Sequence, residues 1–154
     1  MKDYVITSKT LAILPYGKKS SLVYDADNSY IIARKPNAII NSNCIYHGST
    51  YGGRLLGTKK LTGYSYKAPI IVDEINPIIF FPTSSPRLSS CCWLNLFNIS
   101  TNYYDEILDK SYIRFTNNRV ICLSVSKNIL DNQILRAYKL AFKINKNDKN
   151  RLNY

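Results

Sequence analysis

A chain of 154 residues is long enough for one domain with a real core, and its 45% hydrophobic content is too high for wholesale disorder. Lys and Arg number 21 against 10 Asp and Glu, a formal net charge of +11 that self-repels unless an anionic partner is the reason for it. No run of five or six basic residues offers a disordered tail as the explanation, so the fold has to assemble the charge, and nucleic acid is the commonest partner for such a surface.

The first third reads as short strands at Tyr4 to Thr7, Leu11 to Tyr16, Leu22 to Tyr24 and Tyr30 to Arg34. Turns fall at Gly17-Lys18-Lys19-Ser20 and between Asp25 and Ser29. Pro36 opens a helix that carries Ala38, Ile39, Cys44 and Ile45 until Gly48 stops it. Gly48, Gly52, Gly53, Gly57 and Gly63 then make a loop-like stretch. Ile70 to Val72 and Ile78 to Phe81 read as a strand pair about Asn76-Pro77, and Thr83 to Ser90 as a polar loop held between prolines. Trp93 to Ile99 reads as a largely buried strand. Tyr112 to Phe115 and Val120 to Val125 form a hairpin around Asn117-Asn118, because Asn tolerates positive φ in a tight turn. From Asn128 to Lys143, Leu130, Ile134, Ala137, Tyr138 and Ala141 recur at helical spacing, with Arg136, Lys139, Lys143 and Lys146 on a neighbouring face. The sum is an α+β fold, mostly antiparallel strands in one compact domain with a C-terminal helix.

Catalysis finds little footing. Cys44, Cys91, Cys92 and Cys122 form no C-x-x-C pair, and with His47 as the single histidine they make a poor zinc site. They read as reduced, mostly buried thiols. Asp73-Glu74 and Asp105-Glu106 are adjacent acids that diverge in extended chain and read as turn caps. Gly52-x-x-x-x-Gly57-Thr58-Lys59 inverts the lysine and hydroxyl order of a phosphate-binding P-loop. Ser124-x-x-Lys127 is a chance match to a serine–lysine spacing. No nucleophile, base and orienter set is visible, so the chain reads as a non-enzyme needing no cofactor and no metal. Nothing at the N-terminus looks like a secretion signal and no apolar run approaches the roughly 20 residues that span a bilayer, so a cytoplasmic protein with no membrane partner is expected.

Phosphate contact needs cations, small hydroxyls and backbone N–H groups from loops. Ser49, Thr50, Tyr51, Arg54, Lys59 and Lys60 supply these in the glycine-rich stretch, Thr83, Ser84, Ser85 and Arg87 in the proline-flanked loop, and Lys67 between the two. The same glycines also serve turn geometry, and Ser and Thr often cap local backbone. Tyr46 and Tyr51 suit a core, and Trp93 in its apolar strand reads as core rather than as a stacking platform. No helix-turn-helix reader is visible. That favours strands or loops in a minor groove, where arginine suits a narrow A·T tract. Two other readings stay open: a single-strand or RNA-binding module stacking bases on its 13 tyrosines, and a nuclease with a metal on Asp73 and Glu74.

Cys44-Ile45-Tyr46-His47-Gly48-Ser49-Thr50-Tyr51-Gly52-Gly53-Arg54, Gly57-Thr58, Lys67-Ala68-Pro69-Ile70-Ile71-Val72-Asp73, Phe80-Phe81-Pro82-Thr83-Ser84-Ser85-Pro86-Arg87 and Cys92-Trp93 follow in an order that resembles the ComK family of bacterial competence transcription factors. Asp131-Asn132-Gln133-Ile134-Leu135-Arg136-Ala137-Tyr138 adds a second match, and the resemblance runs from about residue 30 to residue 144. It implies that residues 1–154 are a single ComK-like DNA-binding domain, an activator of competence genes for DNA uptake. It further implies binding to paired A/T-rich boxes through the minor groove as a homodimer or higher homo-oligomer, with RNA polymerase as a further partner and association with the nucleoid when DNA-bound. Tyr51, Gly52, Arg54, Pro82, Thr83 and Trp93 become signature positions. Longer members continue past the helix into a tail used for control by an adaptor and a protease. This chain ends at Arg151-Leu152-Asn153-Tyr154, so adaptor-driven degradation is not expected of it.

Overall fold

The computed structural model describes the backbone of residues 1–152 and side chains through residue 146; the expectation about the chain's end lies outside these residues. Strands β1 (Thr10–Tyr16), β2 (Ser20–Asp25) and β3 (Ser29–Ile32) are followed by helices α1 (Pro36–Tyr46) and α2 (Tyr51–Thr62). Strands β4 (Ile70–Asp73), β5 (Ile78–Pro82) and β6 (Trp93–Asn95) lead through a 3₁₀ turn at Leu96–Asn98 to β7 (Ile99–Asp105), β8 (Lys110–Phe115) and β9 (Val120–Leu123). Helix α3 (Lys127–Leu152) closes the chain. All pairings are antiparallel, giving one sheet in the order β3-β2-β1-β6-β5-β4 and a second in the order β7-β8-β9. This is the α+β domain the sequence predicts.

At β4, β5 and β6 the larger sheet is buried on both faces, which is why Ile70 to Val72 and Ile78 to Pro82 read as continuous apolar runs. Successive side chains in a strand point to opposite faces. Ile70, Val72, Ile78, Phe80 and Trp93 pack with Ile39, Ile40 and Cys44 of α1. Ile71, Ile79, Phe81 and Leu94 pack with Ile113 and Phe115 of β8 and with Leu130, Ala137 and Leu140 of α3. Three layers result: α1 and α2, the six-stranded sheet, and the small sheet with α3.

Four expectations change. Tyr4 to Thr7 buries Tyr4 and Ile6 and leaves Val5 and Thr7 exposed without joining a sheet, because a side chain replaces a neighbouring strand. Asn43 accepts from Ile6 N at 2.8 Å and donates to the Tyr4 carbonyl at 2.9 Å. The glycine-rich stretch is helix α2 rather than loop. Each interior glycine costs a helix about 1 kcal/mol, and tertiary anchors offset it. Thr50 caps the helix by accepting from Gly53 N at 2.9 Å, Thr58 Oγ1 donates to the Pro69 carbonyl at 2.7 Å, and Leu55 packs on the core. Gly63 ends the helix at φ +83°, a conformation favoured in glycine. Trp93 to Ile99 is not one strand. β6 stops at Asn95, and the 3₁₀ turn carries the chain into the second sheet, where the polar residues of β7 find an open face. Tyr138 lies on the exposed side of α3 at 49% exposure, and Leu140 takes the core position. The Asn117-Asn118 hairpin forms as read, with Asn118 at φ +69°.

Candidate nucleic-acid interface

Antiparallel order decides which loops share an end of the six-stranded sheet. The registers Tyr16↔Ser20, Ser21↔Ile32, Ile70↔Phe80 and Pro82↔Trp93 bring together the β1–β2 turn, the β3–α1 joint, the lead into β4 and the β5–β6 loop. These segments carry Lys18, Lys19, Arg34, Lys35, Lys67 and Arg87, and no Asp or Glu. The opposite end carries Asp25, Asp27, Asp73 and Glu74.

Two grooves open at the basic end and share Pro86 and Arg87 as a common wall. One, of about 300 Å³, has Lys18, Lys35, Asn37, Arg87 and Leu88 around it. The other, of about 500 Å³, is lined by Tyr51, Leu55, Tyr66, Lys67, Ser85 and Arg87. No acid lines either. Among the described residues the ion pairs are His47–Asp73, Arg54–Glu74 and Lys127–Asp131, so none of the groove cations is neutralised.

The walls are braced from the core. Asn37 accepts from Trp93 Nε1 at 2.8 Å and donates to the Pro86 carbonyl at 2.7 Å, tying the loop to α1 and β6. Thr83 closes the base of the loop: its N–H donates to the Cys92 carbonyl at 2.9 Å and its hydroxyl accepts from Cys92 N at 3.1 Å. Lys67 stands at φ +50°, and its carbonyl accepts from Gln133 of α3 at 2.9 Å. Gln133 also donates to Pro82 at 2.7 Å, and Arg136 donates to the Tyr66 carbonyl at 2.8 Å while stacking 4.2 Å from the Tyr64 ring centroid. Burial raises the Cys91 thiol above its ordinary value and pushes Cys92 up to about 11, so neither is a thiolate nucleophile at neutral pH.

The residues singled out from sequence separate in space. Tyr51, Lys67, Ser85 and Arg87 meet at the larger groove. Thr83 is 2% exposed and serves the loop, and Ser84 turns toward a third cleft beside Cys92 and Val125. Ser49 and Thr50 form the α1–α2 joint. Lys59 and Lys60 are exposed on the last turn of α2, which Thr58 holds against the start of β4. Arg54 faces the other end: it is 9% exposed, paired with Glu74, and donates to the His47 carbonyl at 3.4 Å. Lys18, Lys35 and Asn37 were missed. They sit in no local motif, and only the strand order gathers them.

Trp93 is fully buried in the core. Asp73 and Asp105 cap turns, accepting from Ile75 N at 2.9 Å and from Ile107 N at 2.9 Å respectively. Among the described residues no group of three or more His, Cys, Asp and Glu is placed to hold a metal ion, and no helix is long and apolar enough to cross a membrane.

The chain is matched over residues 1–149 by the family described as ComK protein. It is 32% identical over 140 residues to the competence transcription factor of Bacillus subtilis (strain 168), an alignment covering 89% of this chain and 72% of that protein. No solved structure matches it. The chain belongs to the ComK family.

Proposed function

We propose that this protein is a DNA-binding transcription activator of competence genes and that it holds duplex DNA with the basic end of its six-stranded sheet. One observation carries the reading: four segments distant in sequence converge to put Lys18, Lys19, Arg34, Lys35, Lys67 and Arg87 together with no acid among them. Cations not already paired are what phosphate requires, and each one engaged releases counterions. Lys59 and Lys60 extend the surface along α2, and Ser49, Thr50 and Ser85 add hydroxyls around it. Arg54, paired with Glu74, acts in this reading by holding α2 in place.

Loops and turns make up most of this end, with the first turn of α1 and Tyr51 and Leu55 of α2 beside them, which suits a minor groove better than a recognition helix in a major groove. The family relationship supports paired A/T-rich boxes as targets, a second copy of the chain and RNA polymerase as partners, and the cytoplasm and nucleoid as its place. It also favours a binder over an enzyme. Fluorescence anisotropy tests this with three duplexes: paired A/T boxes, the same boxes half a helical turn apart, and a G·C-rich control. The expected result is tight, spacing-dependent binding to the first, displaced by a minor-groove drug. Equal binding to all three duplexes overturns the sequence-specific reading. Preference for single strands would shift the reading to base stacking on Tyr66, which is 65% exposed beside Lys67.

A further inference from the structure

We infer that Leu88 is a wedge that enters the bound duplex between two stacked base pairs and kinks it. The inference rests on the DNA-binding reading above and adds a mechanical step to it. The loop from Thr83 to Cys92 is otherwise small or polar beyond Pro86, yet it presents a leucine at 56% exposure on the rim of a groove whose other residues include Lys18, Lys35 and Arg87. Leu88 belongs to neither core cluster. It cannot hydrogen-bond a base edge or a phosphate. Its favourable contact with DNA is apolar, against the faces of bases that have been pulled apart.

The surrounding geometry suits insertion. Leu88 N donates to the Ser85 carbonyl at 2.9 Å, and the Leu88 carbonyl accepts from Cys91 N at 3.2 Å, so a turn braces the residue on both sides. The Asn37 bond to Pro86 at 2.7 Å anchors that turn to α1, and the Thr83–Cys92 pair closes its base. Ordering costs are therefore met by the fold before DNA arrives, leaving binding free energy for unstacking, which costs a few kcal/mol per step. Arg87 on one side and Lys18 and Lys35 across the groove are placed to hold phosphates flanking the opened step. Pyrimidine–purine steps such as TA unstack most easily, so an A/T-rich site suits a wedge even where no side chain reads a base edge.

The test uses the full chain and an A/T-rich duplex carrying a donor and an acceptor dye at its two ends, with 2-aminopurine at a central TA step. Wild type is expected to shorten the end-to-end distance, consistent with a kink of roughly 20–90°, and to raise 2-aminopurine emission as the step opens. Leu88→Ala is expected to lose both signals while its affinity falls by no more than about tenfold, since the phosphate contacts persist. Leu88→Met should retain both signals, and the Trp93 emission of each variant reports an intact core. Wild type that binds without bending, or Leu88→Ala that bends and unstacks like wild type, overturns the wedge and leaves the DNA-binding reading standing. Failure of wild type to bind any duplex overturns both.

Discussion

Arg87 and Arg54 lie at opposite ends of the six-stranded sheet and use the same guanidinium in opposite ways. Arg87 is exposed, pairs with no acid, and stands on the wall between two grooves. Arg54 is 9% exposed and joined to Glu74. Arg119 behaves like Arg54: it donates to the carbonyls of Asp25 and Asn28 and to Ser29 Oγ, and covers the Tyr24 ring at 4.4 Å. One end employs its arginines to hold the fold together, and the other leaves Lys18, Lys35 and Arg87 without an acid partner. In the proposed reading, a net charge of +11 calls for an anionic partner, and the distribution of paired and unpaired cations directs it to the basic end.

The contrast breaks if the two ends respond alike to mutation. Replacing Lys18, Lys35 and Arg87 together with Gln should lower DNA affinity by about 100-fold near physiological salt and reduce the log–log salt slope by about 2.7, with the melting temperature close to wild type. An unchanged slope would remove these residues from the interface.

Arg54→Met should do the reverse. Loss of the Glu74 pair and the His47 contact is expected to cost about 1–3 kcal/mol, lowering the melting temperature by roughly 5 °C, while affinity measured well below the transition stays within twofold. A large affinity loss in a fully folded Arg54→Met protein would place Arg54 on the DNA.

Each end also holds a shielded thiol, buried at Cys44 and half-buried at Cys92, which gives a pH test. Burial pushes Cys44, near Arg54, and Cys92, at the start of β6, up to about 11, whereas an unfolded thiol ionises near 8.5. Stability from this source is intact below the unfolded value and is lost as pH rises toward 11. Chemical denaturation between pH 8 and pH 10.5 should show that decline, shallower in Cys44→Ala/Cys92→Ala; equal slopes would mean that the thiols ionise alike in both states.

The smallest effect belongs to Asp27→Asn. It removes one acid from the far end without touching Asp25, whose carboxylate accepts from Asp27 N and Asn28 N. Affinity should change less than twofold, and a larger gain would mean that DNA also reaches the acidic end.

Much of this architecture was legible because it is local. Pro36 opens α1, Asn118 takes the left-handed turn of the β8–β9 hairpin, and the periodicity after Asn128 is a helix. What failed depended on distant partners. The glycines of α2 read as loop because Pro69 and Glu74, which steady that helix, lie beyond it in sequence. Tyr4 to Thr7 has strand composition but meets an asparagine from α1 instead of a strand. For the proposed interface, Lys67, Ser85 and Arg87 were legible as a local association of cations, hydroxyls and prolines. Lys18 and Lys35 join them only through strand order, and Arg54 departs because an acid 20 positions away claims it.

That strand order also sets a sequence of events in time. β1 to β3 and β4 to β6 are two meanders, each made of neighbours in the chain, and they meet at one seam where Ile13 opposes Trp93 across 80 positions. The first meander is synthesised before β6, so β1 has no neighbour on its open edge until the second meander is made. Such a non-local closure is slow, and an uncovered edge is the point at which a chain pairs with the wrong neighbour. The sole tryptophan sits on that seam, so its passage from water into the core is the optical record of the two halves joining.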